Sequence, residues 1–327
     1  MHNIDDVAQN LELGKQEAVR VGSLIVLSQR DQKALNQQKR NFLAKGYRVS
    51  ETRHFVVCQK QSSHQTVLIH TFGQGEMDAD LICFIEDELH SFGIIPSAKE
   101  FGATLFAVLA STFPSPRDQQ AIWQRFCLNT LEGLRDQIAH PPSMPPQVSY
   151  IAPFATIYQR VFDLYTGQSF LDVGCSFGFL PVLMAERVPG IYIVGCDNNP
   201  DAISLSTDLA KITGVRHVTF TLQDVLNATI LDLGTFDTVA ALHLLEHIPE
   251  RDLPMVFIHL LRMTSKRLVI AVPYEQQAIS AYGHEQVFTQ EKLKQWGQWC
   301  VESIGGTSRY WCEDDVAGGL LVVDRLS

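Results

Sequence analysis

One face of a short segment carries the densest chemistry in the chain. The run FDTVAALHLLEHIPE (residues 236–250) places His243, Glu246 and His247 at i, i+3 and i+4, which share one side if the segment is helical. A further histidine, His284 in YGHEQVF, follows 284 − 247 = 37 residues later, downstream of Tyr274-Glu275. Imidazoles exchange a proton near neutral pH, so His243, His247 and His284 are candidate general bases. Histidines with one carboxylate are also metal-ligand chemistry, and His243, Glu246, His247 and His284 form the candidate metal set. Such donors suit Zn²⁺, Mn²⁺ or Fe²⁺; Mg²⁺ prefers more oxygen ligands. A bound ion would lower a hydroxyl's pKa and orient it for attack. Helix capping is the structural alternative.

A second constellation lies upstream. Residues 170–180 read FLDVGCSFGFL: an apolar strand, a glycine turn, then the helical segment PVLMAERV. Gly174 and Gly178 permit a tight turn and close approach of a ligand where a Cβ would clash. The helix-terminal N–H groups attract an anion such as a carboxylate. The spacing is G-x-x-x-G after Asp172, whereas a dinucleotide fingerprint needs G-x-G-x-x-G. Asp197 follows 197 − 178 = 19 residues after Gly178, at the end of the next apolar run, where a carboxylate can accept from both ribose hydroxyls. Asp224, in Gln223-Asp224-Val225 after VTFTL, could accept from an adenine amino group. Any one of these aspartates could instead be a cap or turn former. Four such sites in order, at the ends of successive strands, are poorly explained that way.

These residues together resemble the class I S-adenosylmethionine-dependent methyltransferases over about residues 150–327. The resemblance implies that Asp172, Gly174, Cys175, Ser176 and Gly178 hold the methionine part of the cofactor. It also implies that Asp197 and Asn198 bind ribose and that Asp224 and Val225 hold adenine. Leu242 and the upstream aromatics Tyr150 and Tyr158 complete the implied cofactor contacts. Ser176 stands where many members have glycine. The His243–His247 run with His284 is similar to the metal-supported O-methyltransferases of the ubiquinone pathway and of plant small-RNA 2′-O-methylation. Those enzymes use Glu-x-x-Glu-His, and here His243 replaces the first glutamate. No Asn/Asp-Pro-Pro-Tyr segment follows the fourth strand, which weighs against amide or nucleobase N-methylation.

The elements that must position these residues follow from periodicity. Strands are predicted at 169–173, 191–196, 217–221, 236–241 and 267–272, separated by helical or loop crossovers, with a closing antiparallel pair at 308–312 and 319–324 around Glu313–Gly318. That pattern predicts a doubly wound, mostly parallel, seven-stranded α/β sheet over 150–327, a Rossmann-like domain. The stretch 141–149 is the predicted linker, because four prolines within Pro141–Pro146 cannot continue a helix. Residues 1–140 read as a smaller α+β domain acting as substrate lid, specificity element or dimerisation module. Its predicted elements are a strand at Ser23–Leu27, a polar helix at 30–45, and β-rich runs Tyr47–Gln59 and Thr66–His70 around a Gln61–Ser63 turn. Helices are predicted near 78–92, 98–112 and 117–138. Its histidines 54, 64, 70 and 90 show no catalytic spacing and read as solvated or satisfied. Trp296, Trp299 and Trp311 read as packing residues rather than a substrate pocket.

Composition bounds the rest. The 327 residues carry 26 basic and 36 acidic side chains, a net charge of −10, with 46% hydrophobic content. This is globular composition with room for about two domains. Residues 1–150 hold 14 basic and 16 acidic groups, and the remainder 12 and 20, so 12 − 20 = −8 of the charge belongs to the second part. Acidity argues against nucleic-acid binding, which needs clustered Lys and Arg. No apolar run approaches the ~20 residues of a membrane span, and MHNIDDVAQN lacks the basic and apolar regions of a signal peptide. Seven cysteines without a C-x-x-C pair suggest buried thiols in a reducing compartment, so the cytoplasm is the expected location. The leading expectation is an S-adenosylmethionine-dependent O-methyltransferase of a small or medium hydroxylated metabolite, phenolic or sugar. A small molecule is the expected partner, and a homodimer is compatible with the sequence. The alternatives are a protein or RNA methyltransferase and a non-catalytic cofactor-binding regulator.

Overall fold

Short alternating runs before residue 71 and longer apolar runs after residue 168 build two different sheets in the computed structural model. It describes residues 9–12, 17–60, 65–95, 97–113, 118–142, 148–279, 282–304, 307–315 and 318–325. The chain divides into two units, Met1–Gly133 with Pro146–Ile151, and Leu134–Pro145 with Ala152–Ser327.

The first unit begins with β1 (Gln9–Glu12), β2 (Glu17–Val21), β3 (Leu24–Ser28), α1 (Gln32–Ala44), β4 (Arg48–Glu51), β5 (Val56–Lys60) and β6 (Gln65–His70). The helices α2 (Asp80–Ile85) and α3 (Ala98–Ala110) follow, and α4 (Gln119–Ala139) begins in this unit, the division falling within it between Gly133 and Leu134. Its six strands are ordered β1-β2-β3-β6-β5-β4, with β3 parallel to β6 and the other pairs antiparallel. Asp31 starts α1 by accepting from Ala34 N at 2.8 Å. Leu35 and Phe42 of that helix are buried with Ile25, Leu27, Val56 and Ile69 of the sheet. Three features differ from expectation. β1 and β2 are additional strands, joined to β3 through Gly22 at φ +56°, a hairpin conformation that glycine adopts without strain. The run Tyr47–Gln59 is two strands, because Thr52 and Phe55 close a turn (Thr52 N to Phe55 O, 2.9 Å). The helix near 78–92 ends at Ile85 and continues as a π-helical turn over Glu86–His90. The predicted turn at Gln61–Ser63, His64 and most of the proline-rich stretch lie outside the described residues. Of the other histidines, His70 is buried against Ser111 Oγ at 2.8 Å, His54 pairs with Glu88, and His90 meets Ile95 O at 2.6 Å.

The second unit contains α5 (Ile151–Leu164), β7 (Ser169–Val173), α6 (Phe179–Arg187), β8 (Tyr192–Asp197), α7 (Pro200–Thr213) and β9 (Val218–Leu222). Next come β10 (Phe236–Leu242), α8 (Leu253–Met263), β11 (Thr264–Val272), α9 (Gln290–Ile304), β12 (Ser308–Asp315) and β13 (Gly318–Arg325). The sheet order is β12-β13-β11-β10-β7-β8-β9. β7 to β11 are mutually parallel, and β13 pairs antiparallel with both β11 and β12. Consecutive residues of β7, β8 and β10 are buried, so both faces of the sheet centre are covered, as a doubly wound α/β domain requires. Trp296 and Trp299 pack against the core, with the Trp296 ring stacked on Phe257 at 4.4 Å. The seven cysteines are free thiols, and no described helix is long and apolar enough to cross a membrane.

Candidate functional site

The chain leaves β7 toward β8 and β9 on one side, then returns to β10 on the other side of β7. Such a reversal opens a crevice at the carboxyl ends of the two central strands, where open α/β sheets bind ligands. The glycine turn after β7 forms one wall. Gly174 (φ +78°), Ser176 (φ +48°) and Gly178 (φ +77°) all take left-handed backbone, and Gly178 caps α6. A Cβ on Gly178 would lie 2.6 Å from Ser206 Cβ and 2.7 Å from the Phe220 ring, so the turn packs directly on α7 and β9. Gly174 N and Cys175 N donate to Cys196 O at 2.8 and 2.9 Å, binding the turn to the end of β8.

Asp197 links the next two turns. Its Oδ2 accepts from Ser176 N and its Oδ1 from Asn199 N, each at 2.9 Å, so the carboxylate is aimed before any ligand arrives. Asn198 beside it is exposed, and Asn199 caps α7. Asp172 is buried within β7. Burial, and then the neighbouring Asp197 charge, push its carboxyl up from 3.8 to about 8. Burial also raises the Cys175 thiol. After β9, Asp224 Oδ1 accepts from Leu226 N at 3.0 Å, and buried Val225 is held through its carbonyl by His259 Nδ1 at 2.7 Å.

The other wall follows β10. Leu242 is buried and His243 takes φ +50°, with its N donating to Ala271 O at 2.9 Å. Leu244 then reaches across the crevice, since a Cβ on Gly174 would sit 3.0 Å from Leu244 Cδ1. A 3-10 turn spans Leu245–His247, so the i, i+3, i+4 grouping arises from one tight turn rather than a long helix. His243 Nδ1 lies 3.2 Å from Glu246 Oε1, while His243 Nε2 and Glu246 Oε2 are buried without a hydrogen-bond partner among the described residues. Unpartnered buried polar atoms are costly, so two in one place call for a partner such as a water, an ion or a ligand group. Donor atoms of Glu246, His247 and His284 lie within 4.8 Å of one another. His284 Nδ1 is 2.9 Å from Glu275 Oε2, a carboxylate that orients the ring and fixes its tautomer. Of the upstream aromatics, Tyr158 is buried in α5 with its ring edge-on to Phe154, which lies 4.8 Å from the His243 ring. Tyr150 belongs to the first unit, where its N donates to Asp80 Oδ1 at 2.8 Å.

The fold therefore brings Gly174, Cys175, Ser176, Gly178 and Asp197 into one bonded turn system, and Glu246, His247 and His284 into a donor cluster. His243 of the expected metal set stands outside that cluster and meets it through Glu246 Oε1. Phe154, Phe220, His259, Glu275 and Gln286 support these groups without a motif of their own. No local sequence signal marks Phe220, whose ring packs against Gly178 from β9.

A family model described as a methyltransferase domain matches residues 165–314. Norajmaline N-methyltransferase of Rauvolfia serpentina is 27% identical over 118 residues, 36% of this chain and 37% of the relative. Ubiquinone biosynthesis O-methyltransferase of Haemophilus ducreyi is 31% identical over 87 residues, 26% of this chain and 36% of the relative. The chain spans about 37% and 36% of the length of these two curated relatives. Among solved structures, the small RNA methyltransferase HEN1 superposes with a TM-score of 0.49 at 15% identity, covering 57% of this chain and 27% of that one. Magnesium protoporphyrin IX methyltransferase of Synechocystis PCC 6803 gives a TM-score of 0.42 at 16% identity, covering 64% of this chain and 100% of the other.

Proposed function

We propose that residues 165–314, matched by the methyltransferase family model, are a class I S-adenosylmethionine-dependent methyltransferase domain, and that the chain transfers a methyl group to a hydroxyl of a small or medium-sized metabolite. The observation that carries the reading is the pairing of the two walls: a preorganised cofactor turn facing an imidazole-rich turn across the β7/β10 reversal. In this reading Asp172, Gly174, Cys175, Ser176 and Gly178 hold the methionine portion. Asp197 and Asn198 hold ribose, Asp224 and Val225 hold adenine, and Leu242 and Tyr158 complete the enclosure.

The acceptor oxygen attacks the sulfonium methyl carbon in line. The new C–O bond forms as the C–S bond breaks, and the bonding pair stays on sulfur as S-adenosylhomocysteine leaves. The hydroxyl proton passes to an imidazole of His243, His247 or His284. Because the sulfonium is already activated, the protein's work is orientation and removal of that proton. Glu246, His247 and His284 fit a divalent cation by donor chemistry and spacing, and the orphaned Glu246 Oε2 supports that fit. Bound there, such an ion would lower the pKa of the acceptor hydroxyl. The first unit is assigned a part in acceptor choice. Supporting this, it holds a cavity of about 560 Å³ whose walls include Arg48, Arg53, His54, Phe84, Glu88 and Phe92.

The test is incubation with S-adenosylmethionine carrying a labelled methyl group and an extract of the source organism. Label is expected in small molecules as O-methyl products, and His243→Ala, His247→Ala or His284→Ala should lower incorporation by about 10²-fold or more. Label found only in RNA or protein would contradict the acceptor class. No label despite tight S-adenosylhomocysteine binding would make the chain a non-catalytic cofactor-binding regulator.

A further inference from the structure

The imidazole-rich turn and the His284 loop are separated by 37 residues (284 − 247), yet their donor atoms come together. One side chain ties them. Gln286 is 8% exposed, and its Nε2 donates to Leu245 O at 3.0 Å and also to Ile248 O. Those two carbonyls bracket Glu246 and His247. On the other side, Gln286 Oε1 accepts from Lys292 Nζ at 2.8 Å, and Lys292 is itself paired with Glu250 at 2.8 Å. The amide can face only this way. Turned over, its oxygen would oppose two carbonyl oxygens and its N–H groups would oppose an ammonium. The neighbouring backbone completes the seam, with Glu285 N and Gln286 N donating to Glu246 O at 2.8 and 3.3 Å.

We propose that Gln286 is a positioning residue that clamps the His284 loop onto the Leu245–His247 turn, preassembling Glu246, His247 and His284 before the acceptor binds. The proposal rests on the reading of that cluster as the reaction centre. The turn is a single three-residue 3-10 turn. The cluster side chains themselves join the two loops through His247 Nδ1 to Gly283 O, long at 3.3 Å, and an edge-on contact of the His247 and His284 rings at 4.9 Å, so the short amide bonds of Gln286 are the stronger side-chain tie. The Gln286 amide bonds Leu245 O, Ile248 O and Lys292 Nζ. It acts through the residues on either side of it.

Gln286→Met keeps the length and removes both donors. Gln286→Glu presents oxygen to the two carbonyls and is the harsher change. In the full chain, initial rates of labelled-methyl incorporation into the extract are expected to fall about 10-fold or more for Gln286→Met and further for Gln286→Glu. The S-adenosylhomocysteine dissociation constant should stay within about twofold for Gln286→Met, because none of the amide's hydrogen bonds goes to the glycine turn. Long-range ¹H–¹⁵N spectra should show the His247 and His284 imidazole signals shifted or broadened in Gln286→Met. In a His284→Ala background, Gln286→Met should add little further loss, as expected for groups acting through one another. Wild-type rates and imidazole spectra in Gln286→Met would overturn the clamp. So would an undiminished effect of Gln286→Met in the His284→Ala background, or a loss of cofactor binding that parallels the loss of rate. If His284→Ala and Glu246→Gln themselves retain full rate, the reaction-centre reading falls, and the clamp falls with it.

Discussion

Asp172 shows how a single buried carboxyl can couple cofactor binding to pH. Burial, and then the charge of Asp197, hold its pKa at about 8 against 3.8 when unfolded. The folded chain therefore keeps a proton that the unfolded chain loses, and this group's contribution to stability falls as pH rises from about 4 to about 8. In the proposed cofactor site, a methionine ammonium beside Asp172 would reverse the balance by favouring the carboxylate. Binding below pH 8 then expels a proton, and affinity for S-adenosylhomocysteine should tighten by up to about tenfold per pH unit as pH rises toward 8. Calorimetry at pH 6.5 and 7.5, in two buffers of different ionisation enthalpy, checks both the trend and the proton release. Asp172→Asn should flatten the trend. The glycines and Asp197 were legible in sequence because a tight turn makes local demands on residue type. Gln286, His259 and Phe154 were not, because their partners lie 38, 34 and 89 positions away, counting Gln286 to Ile248, His259 to Val225 and Phe154 to His243 (286 − 248, 259 − 225, 243 − 154).

At the scale of elements, the parallel strands position the chemistry and the antiparallel end secures them. β13 lies between β11 and β12, and its Asp324, 4% exposed, accepts from Arg267 at 2.6 and 3.0 Å and from Arg309 at 2.9 and 3.2 Å. In Asp324→Ala the largely buried Arg267 guanidinium loses its carboxylate, while Arg309, 61% exposed, turns to water. Hydrogen bonds to charged groups contribute about 1.5–3 kcal/mol, so the urea midpoint should fall by an amount equivalent to about 1.5–3 kcal/mol; an unchanged midpoint would contradict this role of β13. The strands of this sheet were legible because consecutive buried positions give unbroken apolar runs. β1 and β2 were less so, being short, and QNLE in β1 contains one apolar residue. The π turn at Glu86–His90 had no periodic signature to separate it from the helix before it.

For the whole molecule, the charge of −10 divides unevenly: 14 − 16 = −2 over residues 1–150 and 12 − 20 = −8 beyond them. Three of the acids in the second stretch, Asp172, Asp197 and Asp224, stand beside the strand ends where a cofactor with a cationic sulfonium is proposed to sit. The first unit has its own sheet and cavity, the two features on which its proposed part in acceptor choice rests. The account stands or falls on the donor half. The most direct measurement is calorimetric titration of the full chain with S-adenosylhomocysteine, wild type against Asp197→Ala. Asp197 is expected to bond both ribose hydroxyls, and hydrogen bonds to a charged group contribute about 1.5–3 kcal/mol each. The predicted result is one site per chain, weakened at least ~30-fold in Asp197→Ala while that variant keeps its thermal midpoint within a few degrees. No detectable binding by the wild-type chain, or equal affinity in the variant, would contradict it.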